Sequence, residues 1–578
     1  MNAAITNARD DVMHDVLEIL GHLGEDATGC FPMPGGVIGF SDLRGSLGEV
    51  AFGYANLEQR VRMDVGFRFE IGSISKLFTA LAINRLVEQG RLDLSEPVAS
   101  IVTWADLADG DQPLTVGQLL THTSGLVSGA DALPDDAGEI WNSRGSRRAS
   151  TTPPRFHYSN YGYLLLGEVV RARSGRRLNE LVRDEWLEPF GMRDALAEVT
   201  LDDYSSFATG YWPARPDRPW VAGEALAPAQ FFETDSASGN VAATIGDMNR
   251  LMMALVGASS AQPLLDSKGA PTLSSEMFER ITSVKASTGE PVYVVAGTGS
   301  VEESRYAMGI NVERINGHFC VSHGGGMVGY STFMLVDCSA GVGVTVLTNA
   351  NGDTLASHLL ARAALYELTE RLEGRVPEVA KRWSGQTLTR SPAVSGVEEG
   401  VGTFTSDSSA LTLVVESDGV DQALRVSAGD TTAALHLLAS GRYVSDHPSL
   451  RRYHLDWHHD ADLEGWTYGD QTFVASALDR PVAMPTPLAH PLVGRYRCFS
   501  PWFPEFRVYE RAGRLWLSSP SGVESPGEEV ELVALSDHEY RLGADPWLPE
   551  RLILGPLRDG EVVGVERDGC AYSRVFTS

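Results

Sequence analysis

Apolar and polar positions alternate through "GGVIGFSD" (35–42) and "GEVAFGYANL" (48–57), so each predicts a strand, and the turn "LRGS" joins them as a hairpin. Ahead of them, "MNAAITNARDDVMHDVLEILGHLGED" reads as an amphipathic helix. Behind them, in "EIGSISKLFTALAINRLVEQG" (70–90), Leu77, Phe78, Ala80, Leu81, Ala82 and Ile83 are apolar nearly all round, the pattern of a central buried helix. Residues 91–300 are mostly helical and loop-like, with helical segments at "TVGQLLTHTSGL", "YGYLLLGEVVRARSG" and "TIGDMNRLMMALVG". Strands return in "YAMGINVERI", "HFCVSHGGG", "YSTFMLVD" and "VGVTVLTNA", with an Asn316-Gly317 turn between the first two. A helix over roughly 353–373 follows. Strands at both ends with helices between predict one sheet built from distant segments, with residues near 73 and near 323 brought together.

Beyond "WSGQTLTRSPAVSG" the pattern changes to short alternating strands and Gly turns, split by the Pro-rich joint "DRPVAMPTPLAHPLVG". The two pieces echo one another. "VGTF" (401–404) answers "VGRY" (493–496), and "LHLLASGRY", ending at Tyr443, answers "LVALSDHEY", ending at Tyr540. Paired small antiparallel β-barrels are the expected outcome. The predicted domains are a catalytic unit over 1–378, a barrel-like unit over 395–480 and a second, lipocalin-like barrel over 488–578.

A chain of 578 residues accommodates this multidomain plan. Its 47 basic against 76 acidic residues give a net charge of −29, which argues against nucleic acid or an anionic membrane as partner. The N-terminal stretch lacks the apolar core of a signal peptide, and the five cysteines show no CxxC spacing, so the expected location is cytoplasmic.

Chemistry is concentrated in three places. Ser73 and Lys76 lie three apart at the start of the apolar helix, so the ammonium reaches the hydroxyl. The alternative for Ser73 is an N-cap. A hydroxyl needs a neighbouring base, and lysine serves as one when burial or positive charge lowers its pKa from about 10.4. The chain has four lysines, Lys76, Lys268, Lys285 and Lys381, and uses arginine for ordinary positive charge. Arginine cannot act as a base near neutral pH, which favours a chemical role for Lys76. In "RFHYSNYGYLLLG", Tyr158 and Asn160 flank Ser159 before an apolar helix, either as a cap with a core tyrosine or as a second proton-transfer group with a substrate-orienting amide. In "VSHGGGMVGY", His323 precedes Gly324, Gly325 and Gly326, where missing side chains let a substrate lie against a strand edge. His454, Asp456 and His458 alternate in "RRYHLDWHHDAD" and read as a solvated strand face, not a metal site. His122 reads as a structural hydrogen-bonding group.

With "GSISK", "YSN" and "HGG" in this order, and "LLTHTSGL" and "SASGNVAATIGDM" in support, the chain resembles the penicillin-recognising serine hydrolases over roughly residues 30–370. That family includes class C β-lactamases, D,D-carboxypeptidases, D-aminopeptidases and esterases. The resemblance implies a β-lactamase/transpeptidase-like α+β fold, an antiparallel sheet flanked by helices with a helical subdomain. It implies Ser73 as acylated nucleophile, Lys76 as its base and Tyr158 as proton donor to the leaving group. Asn160, His323, Gly325 and Gly326 would bind substrate, with an oxyanion hole from the Ser73 and Gly326 N–H groups. No cofactor or metal is implied.

Class C β-lactamases carry lysine where this chain has His323, which argues against efficient β-lactam hydrolysis. Histidine there and two trailing β modules resemble D-aminopeptidases, in which a loop of the last barrel enters the active site; "CFSPWFPEF" and "GADPWLPER" are both candidates. The expected function is a serine hydrolase cleaving amide bonds of small peptides or amino-acid amides, D-configured. The alternatives are an esterase, an acyltransferase or peptide cyclase using the same site, and a catalytically inactive binding or sensor protein. The expected partner is a small peptide, amide or ester; a homo-oligomer stays open.

Overall fold

The computed structural model describes residues 2–107, 112–129, 135–351, 355–375, 400–406, 411–417, 424–438, 440–459, 463–475, 490–523 and 526–576. Helix α1 (Asn2–Ala27) leads into the hairpin β1 (Gly35–Asp42) and β2 (Gly45–Asn56), then the short β3 (Val61–Arg62). The buried α2 (Ser75–Glu88) follows, then α3 (Asn160–Ser174) and α4 (Ile245–Ser259). The chain returns as β4 (Val301–Tyr306), β5 (Asn311–Ile315), β6 (His318–Met327), β7 (Tyr330–Asp337) and β8 (Val342–Thr348), and α5 (Leu355–Leu372) closes the unit.

These strands form one sheet in the order β3-β2-β1-β8-β7-β6-β5-β4. The first hairpin joins the last strands through antiparallel β1 and β8, with Val37 opposite Leu347 and Gly39 opposite Thr345. Alternation then supplies two cores. Val37 and Leu347 face the side holding α2, α3 and α4. Ile38, Phe40, Val344 and Val346 face α1 and α5. Both faces are covered, so β1, β7 and β8 are buried along their whole length.

"YAMGINVERI" is not one strand. It breaks at 307–310, where the Ala307 N–H donates to the Ile310 carbonyl at 2.8 Å. Gly309, at φ +74°, lies against α2, where a Cβ would meet the Lys76 carbonyl at 2.6 Å. The turn brings this hairpin onto the helix that carries the lysine.

Both C-terminal pieces are closed eight-stranded antiparallel barrels. The first runs from Gly402–Ser406 to Gln471–Ala475 and closes with Phe404 opposite Ala475. The second runs from Gly494–Arg497 to Cys570–Val575 and closes with Tyr496 opposite Arg574. The echoed segments occupy equivalent strands: Tyr443 starts the fifth strand of its barrel, and Tyr540 lies in the fifth strand of the other. Phe404, Trp466 and Phe473 fill one interior, and Tyr496, Phe506 and Leu552 the other. At eight strands a barrel is just wide enough to be filled by its own side chains.

The polar strand face of the first barrel is only partly solvated. The Arg442 guanidinium donates to both Asp456 oxygens at 2.7 and 2.6 Å, and His458 pairs with the Thr467 hydroxyl at 2.9 Å. His454 is buried against Gly527 of the second barrel. Among the described residues no group of three metal-ligating side chains occurs, and no helix is long and apolar enough to cross a membrane.

Two predictions follow from close packing around the start of α2. A Cβ on Gly325 would lie 1.9 Å from the Ile71 carbonyl oxygen, so Gly325→Ala should lose about 2–3 kcal/mol in urea unfolding. Glu70 is fully buried, and desolvation pushes its carboxyl up to about 8 against a weak opposing hydrogen bond from Thr234. The folded state therefore holds a proton that an unfolded glutamate, with a pKa of about 4.3, has released. This contribution is fully present below the unfolded pKa and is lost as pH rises through about 8. Glu70→Gln should flatten the fall in thermal midpoint between pH 6 and 9.

Candidate active site

Ser73 lies in a single 3-10 turn, Gly72–Ile74, immediately before α2. It does not cap the helix: no side chain caps either the turn or α2. The hydroxyl instead accepts a hydrogen bond from Lys76 Nζ at 2.8 Å. Lys76 has no solvent exposure, and its Nζ also donates to the Ser238 carbonyl at 2.8 Å. Aromatic rings flank this ammonium, with the centroids of Tyr158 and Tyr163 at 5.1 and 5.5 Å.

The turn docks on β6 through glycines. Gly72 has φ +53°, and a Cβ there would lie 2.7 Å from both Gly326 N and Gly326 O. β6 pairs with β5 only as far as Ser322, while its pairing with β7 continues to Met327. From His323 onward one edge of β6 is therefore unpaired by a strand, and Gly324, Gly325, Gly326 and Met327 line the cavity there. The three glycines thus lie at a strand edge that borders the cavity. Gly325 is also required by the Ile71 carbonyl, and Gly324 by the ring of His358, which a Cβ would meet at 2.8 Å.

Tyr158 stands just before α3, and Ser159 caps that helix by accepting from the Gly162 N–H at 3.0 Å. Capping and a place beside the lysine are thus compatible. Asn160 begins the helix and is buried, with its N–H donating to the Ser128 carbonyl at 2.8 Å. Ser73, Tyr158 and Asn160 all line one cavity of 370 Å³.

His323 does not line it. The ring is fully buried behind the strand, with Nδ1 2.6 Å from the Gly324 carbonyl and Nε2 2.9 Å from the Tyr306 hydroxyl. A carbonyl can only accept, so Nδ1 carries the proton and Nε2 accepts from Tyr306. Burial first, then the Lys76 charge, lower its pKa to about 3 against the opposing Gly324 bond. The ring is neutral and supplies no cation for an anionic substrate.

His122, read from the sequence as structural, lies at the centre of this aromatic cluster. Its ring centroid is 4.3 Å from Tyr158, 4.6 Å from Tyr306 and 5.0 Å from Tyr163. Nδ1 accepts from the Ser159 N–H at 3.1 Å, and the His122 carbonyl accepts from the His157 N–H at 2.8 Å. Desolvation, followed by the Lys76 charge, holds its pKa well below the ordinary value. Its backbone has φ +52°, a conformation uncommon for a residue other than glycine.

The far wall of the cavity comes from the last barrel: Trp502, Phe503, Val523, Glu528, Arg567 and Asp568. "CFSPWFPEF" is therefore the candidate loop that enters the cavity. "GADPWLPER" docks beside it, with Trp547 Nε1 donating to the Ser150 carbonyl at 2.9 Å and Asp545 paired with Arg155 at 2.5 Å. Arg567 stacks its guanidinium 4.1 Å from the Phe503 centroid, and burial first, then the Glu550 charge, push the Asp568 carboxyl up to about 7. Sequence reasoning named the loop but none of Arg567, Asp568, Tyr306, Glu290 or His358; the last two line the cavity from segments without a motif.

A family model described as Beta-lactamase matches residues 32–367. Protein flp of Staphylococcus aureus (strain MW2) is 26% identical over 322 residues, 53% of this chain, and the chain spans 58% of the length of that relative. Among solved structures, the octameric penicillin-binding protein homologue from Pyrococcus abyssi matches with a TM-score of 0.52 and 21% identity, over 76% of this chain and 96% of that one. The D-amino acid amidase from Ochrobactrum anthropi SV3 matches with a TM-score of 0.48 and 19% identity, over 62% of this chain and 99% of that one. The family match covers more than half of the sequence and includes all three motif segments, so the chain belongs to the Beta-lactamase family.

Proposed function

We propose that this protein is a serine hydrolase that cleaves amide bonds of small peptides or amino-acid amides, with D-configured substrates preferred, through an acyl-enzyme on Ser73. The observation that carries this reading is the 2.8 Å bond between a fully buried Lys76 and a Ser73 that lines the cavity. In its neutral, unprotonated form Lys76 takes the Ser73 proton as Oγ attacks the substrate carbonyl. The tetrahedral oxyanion is held by the N–H of Ser73 and an N–H on the free edge of β6, at Gly326; losing one such donor typically costs about 10²–10³ in rate. Tyr158, beside the lysine, passes a proton to the leaving amine, and Asn160 holds the acyl side of the substrate. In the second half-reaction water attacks the ester and gives its proton to the Tyr158 phenolate, while the Lys76 ammonium returns its proton to the departing Ser73 Oγ.

The choice of an amine-bearing substrate rests on the cavity wall. Among the described residues, Glu290, Glu528 and Asp568 line the cavity that Ser73 also lines, three carboxyl groups against the one guanidinium of Arg567, a setting that favours a substrate ammonium. A neutral His323 offers nothing to a β-lactam carboxylate, which weighs against that substrate class. The D preference rests on the resemblance to D-aminopeptidases, carried by a histidine at position 323 and two trailing barrels, and not on contact between substrate and the buried His323 ring.

Intact-mass spectrometry after exposure to a fluorophosphonate probe should show one adduct on the wild type and none on Ser73→Ala. An unlabelled wild type would instead favour a binding protein on this scaffold. For D-alanine amide, KM should fall as pH rises from 6 to 8, because the raised Asp568 carboxyl is protonated below about 7 and anionic above it. Asp568→Asn should remove that part of the pH dependence, the substrate amine's own titration being common to both proteins. Turnover of L-alanine amide in preference to the D form would refute the stereochemical part.

A further inference from the structure

Glu550 belongs to the last barrel, between the strands Glu539–Leu542 and Arg551–Leu554, yet its side chain is inserted into the catalytic unit. One oxygen, Oε1, meets three groups there: the Ser128 N–H at 3.2 Å, the Ser128 hydroxyl at 3.3 Å and His157 Nε2 at 2.6 Å. The side chains of His157 and Glu550 are only 15% and 10% exposed, so solvent does little to screen the pair. Burial pushes the Glu550 carboxyl up, but the hydrogen bond and charge of His157 outweigh it and hold the pKa below its ordinary value. The barrel fixes the other end of this residue, since the Glu550 carbonyl accepts from the Leu542 N–H at 3.2 Å and from Arg551 Nη1 at 2.8 Å.

The two residues it grips are those that set the second motif. His157 immediately precedes Tyr158, and its N–H donates to the His122 carbonyl. Ser128 lines the cavity, and its carbonyl accepts from the Asn160 N–H. Segment 156–159 has no regular secondary structure before α3, so the placement of Tyr158 and of the first turn of that helix depends on such contacts. We infer that Glu550 is a positioning residue, through which the last barrel fixes Tyr158 and Asn160 against Lys76. This rests on the roles given to Tyr158 and Asn160 above. The neighbouring contact between Arg155 and Asp545 joins the same surfaces at exposed side chains and touches none of these groups, which makes it the natural control.

The test compares the full chain with Glu550→Ala, Glu550→Gln and Arg155→Ala. Hydrogen–deuterium exchange needs no turnover: Glu550→Ala should raise exchange of the 156–162 amides about tenfold and leave 77–86 unchanged. Glu550→Gln, which keeps an acceptor oxygen for Ser128, should recover part of that protection, and Arg155→Ala should stay within twofold of wild type. Kinetics then separate positioning from general loosening. Release of p-nitrophenolate from p-nitrophenyl acetate needs no proton on the leaving group, whereas ammonia release from D-alanine amide does. Glu550→Ala should lower kcat for the amide about tenfold or more at near-constant KM, with the ester burst within twofold of wild type. Unchanged exchange at 156–162, an equal loss in Arg155→Ala, or equal losses on ester and amide would each overturn the inference. If the wild type gives neither burst nor turnover, the hydrolase reading fails, while exchange still decides whether Glu550 orders the segment.

Discussion

The active site depends on how closely two backbones approach. Ile71–Ser73 presses on Gly325–Gly326 at a distance that excludes any Cβ on Gly72 or Gly325. Thr332, opposite Gly325 on β7, donates from its hydroxyl to the Ile71 carbonyl at 3.0 Å and so fastens the turn to the sheet. Because β6 is held by β7 along this stretch, the 3-10 turn that carries Ser73 rests against a paired strand. Two N–H-bearing backbones brought this close, from segments 250 residues apart, are what a preorganised oxyanion site requires. Packing alone therefore requires glycine at Gly72 and Gly325, whatever the edge of β6 receives.

The same rigidity lets a lysine remain where lysines rarely lie. Complete burial of Lys76 is costly unless its donors are met, and Ser73 and Ser238 meet two of them. Around it the fold places rings instead of competing cations: Tyr158, Tyr163, and beyond them His122, Tyr306 and His323. Desolvation together with the Lys76 charge keeps both histidines neutral. The cluster is thus an apolar, hydrogen-bonded box that fixes the orientation of Tyr158 without contributing a second positive charge.

What the sequence made legible follows the range of each signal. Local periodicity identified the first hairpin, α2 and the barrel strands, because those patterns are set by neighbours in the chain. The Ser73, Tyr158 and glycine segments were legible because each combines unusual residue types at fixed short spacing. His122 was passed over because a histidine in "LLTHTSGL" looks the same whether it bonds a turn or stacks on Tyr158. His323 was visible as a position, but its burial behind the strand depends on Tyr306, a contact from another strand. The break in "YAMGINVERI" arises from Gly309 meeting the Lys76 carbonyl, a tertiary contact without local trace. Arg567, Asp568 and Glu550 had no local signal, since their meaning depends on where the barrel docks.

That docking explains why two filled barrels accompany a catalytic unit. Trp466 and Phe473 pack inside one barrel and Tyr496 and Phe506 inside the other. The second barrel acts from outside, through its loops, and it reaches the catalytic unit at several separated points. Asn142 donates to the Gly569 carbonyl at 2.8 Å, Asn351 to the Val523 carbonyl at 3.3 Å, and Trp547 to the Ser150 carbonyl at 2.9 Å. Contacts spread this widely around one opening resist rocking better than a single patch of equal strength, since each constrains a different direction. The first barrel supports the second from behind, where Arg511 donates to the Gly469 carbonyl at 2.9 Å and Tyr453 meets Tyr509 edge-on. A wall braced in this way can change its cavity-facing residues without disturbing Ser73 and Lys76, so the two sides of the cavity are set by different parts of the chain.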